Sequence, residues 1–156
     1  MKNLKRMLIP LVLVFACSGC GEAAKADYES PKAVIEASNA IHTEWEGSKI
    51  YGDLEGKTFK IVTTQALDNS NAPAKAETDT EKGNTENGDL KDHNWVCVPY
   101  SDINTDVMLF LTDEQYAEMK YKKGDTMVLE VVLIMQRGTK EGKLRQYYIN
   151  AILPEE

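Results

Sequence analysis

The sequence predicts an all-β domain with a minor helical component, arranged as a five-stranded Greek-key barrel. Three observations carry that prediction. Beyond residue 56, apolar residues either alternate with polar ones or run in short unbroken groups, in five separate segments. Helical spacing is confined to one stretch before those segments and one between the third and the fourth. The connections are rich in Gly, Asn, Asp and Ser, residues that favour turns over continued ladders.

Ser30-Pro31 is a helix start, with serine as N-cap and proline at the first helical position. Val34, Ala37, Ile41 and Trp45 then recur at helical spacing, an amphipathic stripe that should face the core until Gly47 closes the helix. After Gly56 the period changes to two. Phe59, Ile61 and Thr63 alternate with Lys60, Val62 and Thr64, which predicts a strand to about Leu67. Residues 68–94 contain one large aliphatic residue, Leu90, and no aromatic. Such a stretch buries too little surface to offset its ordering entropy, so it is expected to be a disordered insertion.

Past the insertion, WVCVPY and VMLFL are apolar runs joined by SDINTD, an expected hairpin whose turn is made by Asx side chains. Thr112-Asp113-Glu114-Gln115 is a capping-box pattern, so a short helix should start there with Tyr116 and Met119 toward the core. TMVLEVVLIM, from Thr126, is a long strand. RGTKEGK turns the chain into QYYINAIL, the closing strand. Strand, strand, strand, short helix, strand, strand is the order of the OB-fold.

The chain carries 18 Lys and Arg against 25 Asp and Glu, a net charge of −7. Its start is the exception. Lys2, Lys5 and Arg6 precede the apolar run MLIPLVLVFA, and no acidic residue occurs before Glu22. As a helix, ten residues reach about 15 Å, half a bilayer core, so the run is expected to be an export signal and not a span. ACSGCGEAAKADYES then resembles the cleavage region of bacterial lipoproteins, where the cysteine after the cut is acylated. Cys17 follows Val14-Phe15-Ala16, with an aliphatic residue at −3 and a small one at −1. Cys20 follows Cys17-Ser18-Gly19 and is the alternative acceptor. Residues 1–16 are thus expected as signal peptide, 17–29 as tether and 30–153 as the folded domain. Removing 1–16 takes three of the 18 positive charges and leaves 15 against 25, a net of −10. Anionic headgroups repel such a chain, so the acyl group, such as palmitate, would have to hold it at the membrane.

GKTFKIV, NWVCVPYSD, VMLFL, GDTMVLEVVLI and YYINAIL, with KKGD before the fourth strand, look like the OB-like domains of bacterial lipoproteins similar to the tRNA-anticodon-binding superfamily. The resemblance covers about residues 30–153. It implies a lipid-anchored, extracytoplasmic binding or interaction module at the bacterial cell membrane, with a small ligand or a protein as partner. The alternative is an envelope scaffold that engages a protein through a sheet edge. The resemblance brings no catalytic residues with it.

The residues themselves offer little chemistry. His42 and His93 are the only histidines and neither has a Cys or His at ligand spacing, so no metal is expected and His42 is read as a helix-surface residue. Asp102-Ile103-Asn104-Thr105-Asp106 copies the first positions of a calcium loop, but Val107 stands where that loop needs glycine. Cys97 is expected as a small buried hydrophobe, and Pro99 as a strand end or edge. No phosphate loop, nucleophile elbow or paired carboxylate occurs, so neither catalysis nor a cofactor is expected. Arg137, Lys140, Lys143 and Arg145 cluster around the last hairpin, with Tyr100 as a possible stacking partner. They form a possible ligand face for an anionic group. The acidic balance disfavours nucleic acid, and that function would rest on fold analogy alone.

Overall fold

The structure is a computed structural model and describes residues 25–42, 47–68, 90, 93–102, 104–138 and 145–155. Its elements are α1 (Pro31–Ile41), β1 (Lys49–Tyr51), β2 (Thr58–Val62), β3 (Leu67–Asp68), β4 (Asn94–Cys97), β5 (Thr105–Leu111), α2 (Asp113–Glu118), β6 (Lys120–Tyr121), β7 (Thr126–Gly138) and β8 (Arg145–Ile152). The fold is mostly β with minor α, as the sequence predicts. No helix among the described residues is long and apolar enough to cross a membrane.

The main sheet runs β1-β7-β8-β5-β4, and β2 also pairs with β7, beyond β1 on the same edge. All of these pairs are antiparallel except β5 with β8, which is parallel. No ladder joins β2 to β4 among the described residues. A single backbone bond links the segments that follow them, from the Thr64 N–H to the Pro99 carbonyl at 2.8 Å.

Alternation fills the inner face. Phe59 and Ile61 of β2, Val107, Leu109 and Leu111 of β5, and Ile149 and Ala151 of β8 are all at most 1 % exposed. A bulge between Val131 and Leu133 resets the parity of β7. Met127, Leu129 and Val131 belong to the core before it and Ile134 after it, while Leu133 is buried outside that core, as are Phe110 and Leu90. One extra residue in a long strand thus shifts the core-facing positions of β7 from odd to even numbers.

Helix α1 packs on this core with Pro31, Val34, Ile35 and Ser38. The Ser30 hydroxyl accepts the Ala33 N–H at 3.2 Å, as the sequence predicts for its N-cap. The expected stripe needs correcting at its far end. His42 is the C-cap with extended backbone, so the buried face stops at Ser38 and Ile41 is 52 % exposed. Trp45 lies outside the described residues.

The first predicted strand also stops early, at Val62. Thr63 leaves the ladder because the turn before β7 takes its polar groups. Its N–H donates to the Asp125 carbonyl, its hydroxyl to the Lys122 carbonyl, and its own carbonyl accepts from Gly124. Gly124 has φ +90°, which a side chain would strain. Leu67 and Asp68 then pair with Tyr121 and Lys120. Helix α2 carries the predicted capping box. The Thr112 hydroxyl accepts the Gln115 N–H at 3.2 Å, and Gln115 Oε1 accepts the Thr112 N–H at 3.0 Å. Met119 is buried and Tyr116 packs against the core.

Two expected boundaries move. Residues 27–29, read as the end of the tether, dock on β2. Tyr28 exchanges backbone bonds with Thr58 and Lys60, Asp27 accepts from the Thr58 N–H, and Glu29 meets Lys60 Nζ at 2.8 Å. The polar composition hid this because side-chain carboxylates make most of the contacts. The expected insertion is ordered at its margins. Asp68 sits in β3, Leu90 is 6 % exposed, and Asn94 opens β4 with its Nδ2 donating to Asp113 Oδ1. Residues 69–89, 91 and 92 lie outside the described residues.

Candidate binding groove

An open groove of about 650 Å³ lies between the first turns of α1 and the loop that joins β4 to β5. On one side stand Pro31, Lys32, Ile35 and Glu36; on the other, Tyr100, Asp102 and Asn104, with Tyr147 as a further wall. Each wall has a local cause. The N-cap at Ser30 fixes the start of the helix. The Asp102 carboxylate accepts the Asn104 N–H at 2.9 Å, the Asx turn that the sequence predicts. Thr105 is registered beside Tyr147 in the parallel β5–β8 pair.

The two tyrosines are held by their hydroxyls. Tyr100 donates to the Thr105 carbonyl at 2.7 Å, and Tyr147 to Asn39 Oδ1 on α1 at 3.1 Å. Burial pushes the Tyr100 hydroxyl well above the ordinary tyrosine range, and the Asp102 and Asp106 carboxylates add to that shift. It therefore stays neutral at physiological pH. Both hydroxyls thus donate inside the protein and not into the groove.

Of the residues the sequence marks as a ligand face, Tyr100, Arg137 and Arg145 are described. Arg137 pairs with Gln146 and Arg145 with Gly138, at one end of β7 and β8. The Arg137 guanidinium lies over the Tyr148 ring, 5.2 Å from its centroid, on the face away from the core. Tyr100 packs against the core side, with Tyr147. Alternation along β8 sends Tyr147 and Tyr148 to opposite faces. Lys140 and Lys143 lie outside the described residues, as do Cys17 and Cys20.

Cys97 is exposed, not buried as expected. Val96 and Val98 take the inward positions of that strand, which leaves Cys97 on the outer side. Desolvation pushes its thiol up, with Asp106 adding to the effect, so it is a poor nucleophile.

His42 is more than a surface residue. Its Nε2 bonds to Asp53 Oδ2, and its ring stacks on Tyr51 with centroids 3.9 Å apart. The Tyr51 hydroxyl in turn donates to Gln136 Oε1 at 3.4 Å. This chain ties the end of α1 to β1 and β7. Nothing in the sequence spacing of 42, 51, 53 and 136 signals it. No group of His, Cys, Asp and Glu suited to a metal ion occurs among the described residues. No known protein family, curated protein or solved structure matches the chain.

Proposed function

We propose that this chain is a lipid-anchored, extracytoplasmic binding module of the bacterial envelope, built on an OB-like barrel and acylated at Cys17, or alternatively at Cys20. The observation that carries the binding reading is the groove, whose two tyrosine walls are fixed by internal hydrogen bonds. A concave site with aromatic walls and a few placed polar groups is the usual form of a ligand site. The OB-like reading draws support from the order β2-β7-β8-β5-β4, from α2 between the third and fourth long strands, and from the Thr64–Pro99 bond near the two sheet ends. A partly open five-stranded barrel has this kind of gap. The anchor reading rests on the basic start, the short apolar run and the small residues before each cysteine. The reading assigns the protein no catalytic step and no cofactor.

Photo-crosslinking in the native cell tests the site. A benzophenone amino acid at exposed Ser101, on the groove rim, should yield a discrete adduct. The same group at exposed Glu55, in the turn before β2, should not. Adducts from Glu55 alone, or none from Ser101, would refute the groove as the binding site.

A further inference from the structure

The groove's own chemistry narrows its ligand, and the inference rests on the binding reading above. We propose that it takes a lysine- or arginine-bearing extended segment of a partner protein, its cation set against Tyr100 and the Asp102 carboxylate.

Three features favour a cation. Tyr100 is half-buried and lines the groove, and tyrosine faces attract ammonium and guanidinium groups. The chain already makes such a contact on its other face, between Arg137 and Tyr148. Among the charged lining residues, Lys32 is matched by Glu36 four positions on, at 3.9 Å, which leaves Asp102 as the unbalanced charge. The field of the whole molecule, −7 for the full chain and −10 without residues 1–16, steers positive partners inward.

An anion is disfavoured by the helix start itself. Pro31 has no N–H, the Ala33 N–H is taken by the Ser30 hydroxyl and the Val34 N–H by the Ser30 carbonyl. The first turn of α1 thus has only the Lys32 N–H left for a ligand. The open form of the groove, between a helix and a loop, suits a chain that lies along it better than a small molecule enclosed by it.

The test uses the full-length protein in detergent micelles and three acetylated pentapeptide amides: Gly-Lys-Pro-Lys-Gly and its counterparts with norleucine or glutamate in place of lysine. Titration followed by amide NMR should show saturable shifts at Tyr100, Asn104 and Tyr147 with the lysine peptide, and none with the glutamate peptide. Asp102→Asn keeps the oxygen that accepts the Asn104 N–H and removes the charge, so it should weaken binding by about fivefold or more. Lys32→Glu alters an exposed side chain and should tighten it. Added salt should weaken it. Equal binding of the norleucine peptide, shifts confined to residues outside the groove, or no saturable binding would each overturn the inference. If those results coincide with a Ser101 adduct in cells, the groove still binds a partner and only the cationic ligand class falls.

Discussion

Replacing Asn150 by leucine should stabilise this protein. The side chain is 0 % exposed, and neither its Nδ2 nor its Oδ1 finds a partner among the described residues. On β8 it stands between Met108 of β5 and Leu133 of β7, an apolar pair. Leaving a buried amide unpaired costs about 1–3 kcal/mol, whereas an apolar group of similar shape escapes that penalty. Leucine is close to asparagine in shape, so a gain of about 2 kcal/mol is expected from the middle of that range. With a urea slope of about 2 kcal/mol/M, the midpoint should rise by about 1 M without a change in slope. Urea unfolding of wild type and Asn150→Leu, followed by tryptophan fluorescence, reads this directly. A lower midpoint would refute the reasoning, because it would mean that the amide is satisfied and contributes to stability.

Four further outcomes follow from the same account. Leu90→Ala should cost about 2–5 kcal/mol in the same assay, as expected for a buried leucine, and a loss below about 1 kcal/mol would mean that Leu90 is not packed. Thr112→Ala removes the acceptor of the capping box and should cost about 1 kcal/mol, with no loss arguing that α2 is held by packing alone. The Thr58 N–H holds the Asp27 carboxyl below its ordinary value of 3.8, with burial opposing and the Thr58 hydroxyl and Lys57 assisting. Its contribution is therefore present above pH 3.8 and lost as pH falls through the lowered value. Thermal unfolding across acid pH should show a flatter decline for Asp27→Asn, and parallel curves would contradict the assignment. Finally, single-stranded oligonucleotides should bind no tighter than about 10 μM at physiological salt, because the chain's acidity opposes phosphate contacts. Saturable anisotropy below that level, lost on Arg137→Ala, would reverse this view.

Much of the fold is legible in the residues because local rules act on short stretches. The Ser30-Pro31 start, the Thr112–Gln115 capping box and the alternation of β2, β5 and β8 each need a few neighbouring side chains, and all are present. What is not legible depends on distant partners. Thr63 leaves its strand for carbonyls some sixty residues away, at Lys122 and Asp125. The bulge in β7 has no local signature in VLEVVLIM, yet it decides which residues reach the core. The candidate site divides the same way. Tyr100 and the Asx turn at Asp102 can be read directly, but the wall facing them comes from α1, some seventy residues earlier.

The central claim, a domain held outside the membrane by a lipid, meets its most direct test in the intact mass of protein extracted from native membranes. The account predicts a chain that begins at Cys17, or at Cys20, and carries added acyl mass, with Cys17→Ala leaving the unlipidated precursor if Cys17 is the acceptor. A soluble mature protein cut elsewhere, with no acyl mass, would contradict it.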